Sequence, residues 1–163
     1  MKKLSIVCIL SVAAAMLCAL SHGALMDDIF VNDRTTYIPL DGNPGFLQSL
    51  NGEWKFKLNG PAEEFHAADF DDSGWSRIEV PSNWEMLGFE EPRYGKPADG
   101  YGLYRRSFRV PQEWQGRRVF MRFEGVLFGF DFWVNGKHAG SFASAFNRSD
   151  FDITDLVNVG GDN

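Results

Sequence analysis

Cysteine is almost absent from this chain of 163 residues: Cys8 and Cys18 are the only two, and both lie close to the start. Beyond them no disulfide and no thiolate metal site can form, so a domain built from the remainder is held together by its core alone. The length suffices for that, because domains of about 150 residues bury roughly two-thirds of their unfolded surface. Histidine is scarce as well. His66 and His138 are single residues far apart, with no His or Cys at ligand spacing, so a metal site is not expected. Basic charge is in deficit, with 16 Lys and Arg against 22 Asp and Glu. An acidic surplus repels phosphate backbones and anionic lipid, which argues against nucleic acid and a membrane surface as partners. Neutral sugars meet no such penalty. No Gly-x-Ser-x-Gly elbow or Walker loop occurs, and Gly100-Tyr101-Gly102 has Arg105 where a dinucleotide fingerprint needs its third glycine. No cofactor is implied. A long amphipathic helical pattern is missing too.

The single long apolar run is at the start. Lys2 and Lys3 precede an apolar stretch from Leu4 to Leu20, and Ser21, Gly23 and Ala24 follow. This is the layout of a secretory signal peptide over residues 1–24, cut between Ser21 and Ala24. A membrane anchor needs roughly 20 apolar residues, and this run is shorter, with Ser5 and Ser11 inside it. Leu17 is too bulky for the position before a lipoprotein cysteine at Cys18. The expected location is therefore periplasmic or secreted, with no membrane attachment after cleavage. Lys2 and Lys3 leave with the signal, so 14 basic residues then face 22 acidic ones, a net charge of −8.

Residues 25–45 read as a leader, broken by Asp27, Asp28, Asn32, Asp33, Pro39, Asp41, Gly42, Asn43, Pro44 and Gly45. From Phe46 the pattern changes to strands. Trp54, Phe56 and Leu58 alternate with Glu53, Lys55 and Lys57, the period of a half-buried strand. Pro61 to Ala68 suits a short helical turn, and Ser76 to Val80 a brief strand. Leu103 to Val110 places Tyr104, Arg106, Phe108 and Val110 on one face and Arg105, Ser107 and Arg109 on the other. Arg106 on the apolar side needs a carboxylate or carbonyl partner if buried. Arg118 to Glu124 is a strand with Val119, Met121 and Phe123 on one face. Val126 to Val134 pairs with Lys137 to Phe142 across Asn135-Gly136, because both turn residues tolerate the positive φ of a type I′ hairpin. Phe128, Phe130 and Phe132 share a face of its first arm. Asp150 to Leu156 begins a further segment. Short strands with frequent turns give an all-β sandwich or barrel.

Asp69 to Gly74 has acids at the first and third positions of a calcium loop, but Val80 stands where that template needs Glu, so an acidic turn is expected. Glycoside hydrolysis would need two carboxylates about 5–10 Å apart, and nothing in the pattern selects a pair. Asp131, on a strand otherwise filled by Phe and Trp, reads as a partnered structural acid. The best site candidate is the irregular stretch from Trp84 to Tyr104. Loops of that length are usually functional, and this one carries Trp84, Tyr94, Lys96, Asp99 and Tyr101. Its rings can lie against the apolar face of a sugar while its polar groups meet hydroxyls. The competing reading is a loop packed on its own aromatics.

Six blocks then carry a family resemblance: Leu50-Asn51-Gly52-Glu53-Trp54, Val80-Pro81-Ser82-Asn83-Trp84, Leu103-Tyr104-Arg105-Arg106-Ser107-Phe108, Phe123-Glu124-Gly125-Val126, Trp133-Val134-Asn135-Gly136 and Phe151-Asp152-Ile153-Thr154-Asp155-Leu156. In this order they resemble the N-terminal sugar-binding domain of family 2 glycoside hydrolases, the β-galactosidase group, over residues 46–163. The resemblance implies a galactose-binding-like jelly-roll sandwich acting on terminal β-glycosides or oligosaccharides. In the family an immunoglobulin-like domain and a barrel with both catalytic glutamates follow, so no catalytic residue is expected here and the chain alone is expected to be inactive. It also implies one more strand after the bend at Gly160-Gly161-Asp162-Asn163, so this sandwich is expected to lack its last strand, as a fragment would. Two departures weaken the galactose assignment: Tyr94 is followed by Gly95 and Lys96 rather than Thr-Asn, and Phe142-Ala143-Ser144-Ala145 replaces a Gln-Asp-Ser-Arg stretch. A β-glucuronidase or β-mannosidase type, a free-standing carbohydrate-binding module and an adhesion sandwich remain alternatives.

Overall fold

The computed structural model describes residues 46–60, 64–92, 100–144 and 146–163, together with the backbone of Leu4–Cys8. The expected leader at 25–45 and the rest of the expected signal peptide lie outside the described residues. Among the described residues eight strands form: β1 (Leu4–Cys8), β2 (Gly52–Leu58), β3 (Ser76–Val80), β4 (Gly102–Arg106), β5 (Phe120–Phe123), β6 (Phe130–Val134), β7 (Lys137–Phe142) and β8 (Ser149–Asp152). Six of them make one sheet in the order β3-β2-β4-β1-β6-β7, and β5 pairs with β8 in a second. The molecule is an all-β sandwich, as the alternation of its sequence requires.

The core fills the space between the two sheets. Trp54, Phe56, Ile78, Phe130, Phe132 and Val134 from the large sheet meet Met121 and Phe151 from the small one. Rings dominate: Phe123 lies 4.3 Å from Phe130 and Phe132 lies 4.8 Å from Phe151, centroid to centroid, in tilted or edge-on geometry. Aromatic edges meeting faces add about 0.5–1.5 kcal/mol per pair beyond burial. Gly140 on β7 makes the approach possible, since a Cβ there would stand 2.5 Å from the Phe151 ring.

The hairpin forms as its turn residues dictate, with Asn135 at φ 52° and Gly136 at φ 82°. Its first arm is shorter than the sequence suggests. Phe130 and Phe132 are buried, but Phe128 has φ 70° and is exposed, so the strand begins only at Phe130. A side chain at positive φ cannot continue the pleat. Glu64 to Ala68, expected to hold part of a helical turn, forms hydrogen-bonded turns instead, with Ala67 N–H donating to Glu64 O at 2.8 Å. Gln112–Trp114 forms a 3₁₀ turn.

Arg106 meets the demand read from the sequence. Its guanidinium donates to the carbonyls of Leu50 at 2.8 Å and Asn51 at 3.1 Å, lying over the Trp54 ring. Leu50 O also accepts from Trp54 Nε1 at 2.8 Å. Gly52 takes φ 115° as the chain passes this guanidinium, a conformation that suits glycine. The sequence block from Leu50 to Trp54 is thus one packing unit.

The Asp152 block works similarly. Arg118 donates to Asp152 Oδ2 through Nε at 3.0 Å and a terminal nitrogen at 2.8 Å. Thr154 donates its amide at 3.0 Å and its hydroxyl at 2.5 Å to Asp152 Oδ1, and accepts from Val119 N–H at 2.9 Å. Burial acts to raise the Asp152 carboxyl, but the Thr154 and Arg118 hydrogen bonds outweigh it and hold the group below the usual aspartate range. A depressed folded value gives stability that is present above the unfolded pKa, about 3.9, and lost as pH falls through the folded one. Asp152→Asn is therefore expected to lower Tm at neutral pH, with the gap to the parent closing as the solution is acidified below about pH 4. Thermal melts across that range check this; a gap that does not change with pH overturns it.

Candidate functional site

The loop expected to carry the site leaves β3 and returns into β4, and its two stems are fixed by different means. On the outgoing side, Asn83 Oδ1 accepts from Glu85 N–H at 2.8 Å, opening a tight turn. Trp84 O then accepts from Leu87 N–H at 3.2 Å and Phe89 N–H at 3.0 Å, with Gly88 at φ 80°. The Trp84 ring is only 5% exposed and sits 6.0 Å from Phe56. Phe89 and Tyr104 close on the same phenyl ring at 4.7 and 4.9 Å. Trp84 is thus an anchor in the core rather than a ring lying open to solvent. The turn it holds throws Met86 outward, 77% exposed, with Leu87 beside it.

On the return side Tyr101 is tied at three points to the end of β2. Its N–H donates to Asn59 Oδ1 at 2.9 Å, its carbonyl accepts from Asn59 N–H at 2.9 Å, and its hydroxyl donates to Gly60 O at 2.5 Å. Gly102 follows, and a Cβ there would come within 2.8 Å of the Phe56, Trp84 and Tyr104 rings. A glycine is what lets both stems converge on one aromatic cage. Tyr94, Lys96 and Asp99 lie outside the described residues, so of the five site residues read from the sequence Trp84 and Tyr101 alone are placed.

Residues missed in the sequence support this region from behind. Arg105, assigned there to the wet face of its strand, is 0% exposed. Its Nε donates to Asp72 Oδ2 at 3.1 Å, and its terminal nitrogens reach the carbonyls of Phe65 and, at 3.2 Å, Ala67. Burial pushes the guanidinium below its ordinary value while the Asp72 hydrogen bond and charge push back. The reason is nonlocal: the segment around Phe65, Phe70 and Trp75 folds over the outer face of β4 and makes a second small core with Leu103. Asp72, read as part of an acidic turn, is indeed in a turn (Trp75 N–H donates to its carbonyl at 3.1 Å), but its side chain is the partner of that buried cation.

Other carboxylates also have structural partners. Asp131 Oδ1 lies 3.2 Å from His138 Nε2, as expected of a partnered acid. Asp150 takes Arg122 in a two-pronged contact at 2.6 and 3.0 Å. His66 and His138, distant in sequence, both meet Trp133: His66 stacks at 5.5 Å and 22°, and His138 meets it edge-on at 5.2 Å. No group of three or more His, Cys, Asp or Glu able to hold a metal ion occurs among the described residues.

Two packed β-sheets, with a long connection between β3 and β4 whose stems pack on aromatic rings, define a β-sandwich domain. Residues 47–163 match the sugar binding domain of glycosyl hydrolases family 2, and the chain belongs to that family. It is 36% identical over 132 residues to a β-galactosidase of Psychromonas ingrahamii, covering 71% of this chain and 13% of that protein. It is 34% identical over 133 residues to a β-galactosidase of Vibrio cholerae, with the same coverages. Among solved structures, a Bacteroides uniformis β-glucuronidase superposes with TM-score 0.61 at 28% identity, over 71% of this chain and 13% of that one. A family 2 member from Bacteroides cellulosilyticus gives TM-score 0.60 at 28% identity, over 71% and 16%. The chain therefore spans a small fraction of the length of the enzymes it matches.

Removing one partner of a buried ion pair leaves an uncompensated charge, which costs about 3–5 kcal/mol. Asp72→Ala is expected to lose stability of that order in urea unfolding, whereas Glu53→Ala, which breaks the exposed pair with Arg77, is expected to lose under about 1 kcal/mol. Equal losses from the two variants would show that Arg105 is not held as described.

Proposed function

We propose that this chain is the N-terminal sugar-binding part of an exported β-galactosidase-like glycoside hydrolase that acts on terminal β-linked sugars, and that it forms one wall of the substrate pocket. The observation that carries the reading is the family match over residues 47–163 joined to a loop whose two stems are clamped at Trp84 and Tyr101. Clamped stems fix where the connecting segment leaves β3 and enters β4, and positioning is what an accessory wall supplies to chemistry done elsewhere. The sequence between the stems carries Tyr94, Lys96 and Asp99, a ring with a cation and an acid, residue types suited to a sugar's apolar face and its hydroxyls. The carboxylates Asp72, Asp131, Asp150 and Asp152 are engaged by Arg105, His138, Arg122 and Arg118. The catalytic pair is in this reading supplied by polypeptide outside the domain. Identity to β-galactosidases favours a galactoside, while the β-glucuronidase superposition keeps a uronic acid as the second reading. The apolar run after Lys2 and Lys3 supports export.

Purified chain is expected to release no nitrophenol from nitrophenyl β-galactoside or β-glucuronide. Turnover that scales with the amount of chain and disappears on its denaturation would refute the accessory role. Expressed in an exporting bacterium, the chain is expected to be recovered outside the cytoplasm with a new N-terminus between Ser21 and Ala24; a retained Met1 would refute export.

A further inference from the structure

The connection from β5 to β6 reverses through one unusual residue. Gly129 N–H donates to Leu127 O at 3.1 Å across Phe128, which stands at φ 70°. A one-residue reversal of this kind with a positive φ at its centre is the rare and strained form of the γ-turn. Glycine takes such a conformation freely, whereas a bulky side chain there is an outlier. Glycines stand close by at Gly125 and Gly129, yet the central position holds a ring. Val126 packs against the core before the turn and Phe130 lies within it afterwards. Between them Leu127 and Phe128 are thrown outward, the phenyl residue 41% exposed.

The sheet sets where this turn lies. Val7 stands opposite Leu103 on one side and Asp131 on the other, so β4 and β6 begin at the same level. Phe128 lies two residues before β6, and Tyr101, the return stem of the long loop, lies just before β4. β7 ends at this level too, since Phe142 pairs with Phe130, and a Cβ on Gly129 would stand 3.2 Å from Phe142 O. The chain beyond β7 turns on Ser144, whose Oγ accepts from the amides of Phe146 at 3.4 Å and Asn147 at 3.3 Å. That turn leaves Phe146 93% exposed. Outward apolar side chains are thus delivered to the end of the sheet at which the loop re-enters. Charge is missing from both segments, although 23% of the chain is charged: Gly125 to Phe130 and Phe142 to Asn147 contain no Asp, Glu, Lys or Arg.

We propose that the Phe128 ring is a stacking platform for a neutral pyranose, and that it makes the site favour a galactoside over a uronic acid. The inference rests on the proposed role of this domain as a wall of the substrate pocket. In a β-galactoside the axial hydroxyl gathers C–H bonds on one face of the sugar, and such a face suits a flat aromatic ring. A uronate brings a carboxylate that neither segment offers a cation to meet. Mounting the ring on a one-residue reversal fixes its direction, and backbone conformations of this cost persist where a site needs the geometry.

The test is an NMR titration of Met1–Asn163 with methyl β-galactoside and with methyl β-glucuronide, accompanied by thermal melts. The parent chain is expected to bind the galactoside more tightly than the glucuronide. Phe128→Gly is expected to bind the galactoside about fivefold more weakly, the size of one ring contact. The same variant is expected to raise Tm by about 3 °C, because glycine carries the positive φ without strain. A loss of affinity in a more stable variant is not a loss of fold. Phe128→Tyr keeps the ring and is expected to keep the affinity. Equal affinity in Phe128→Gly and the parent overturns the proposal, as does a loss in Phe128→Tyr as large as in Phe128→Gly. A parent that binds no galactoside or binds the glucuronide as tightly overturns it too, and so does a Tm that fails to rise in Phe128→Gly. Failure of the accessory role shows differently, as nitrophenol release by the chain, so the two readings fall separately.

Discussion

An interior strand of a sheet must find hydrogen-bond partners on both edges, and β4 and β6 do so only through a third strand between them. Each unpaired buried peptide group costs about as much as a lost hydrogen bond and its desolvation together, about 1–3 kcal/mol. β1 pairs with five residues of β4, so this pairing is comparable in scale to the whole net stability of a small domain, about 5–15 kcal/mol. The other features sit on this frame. The aromatic core needs both halves of the large sheet in one surface, because Phe56 and Ile78 belong to one half and Phe130 and Phe132 to the other.

Arg105 shows a second constraint, working at right angles to the sheet. A cation at the centre of β4 is tolerated because Asp72 and the carbonyls of Phe65 and Ala67 surround it. A buried pair of this kind is weak evidence for stability but strong evidence for position, since breaking it costs far more than replacing it. It fixes the segment from Phe65 to Trp75 on the outer face, and that segment gives His66 its place against Trp133. β4 is thereby covered on both faces although its sequence reads as half-wet.

Much of the sandwich was legible in the residues. The alternation of Trp54, Phe56 and Leu58 and the Asn135-Gly136 turn are local signals, and local signals survive folding. The carbonyl partners of Arg106 were also deducible, because a guanidinium on an apolar face has few other options. The misreadings have separate causes. Arg105 was placed on the wet face because its cover comes from residues thirty or more positions away, and Phe128 was counted into a strand because periodicity carries no information about φ. Trp84, proposed as a sugar platform, is a core ring; indole suits both roles, and composition cannot separate them. The pairing of an N-terminal apolar segment with β4 and β6 had no sequence signal beyond hydrophobicity.

The strand β1 and the ring-packed loop stems meet at Gly102. Cys8 pairs opposite it at the inner end of β1, and its bare Cα is the point around which Phe56, Trp84 and Tyr104 close. Tyr101, the preceding residue, carries the return stem of the loop. The strand β1 therefore pairs with the backbone of Gly102 on one side while the ring cage closes over it from above. Sheet pairing and ring packing thus converge on one glycine, where any side chain would break the aromatic contacts.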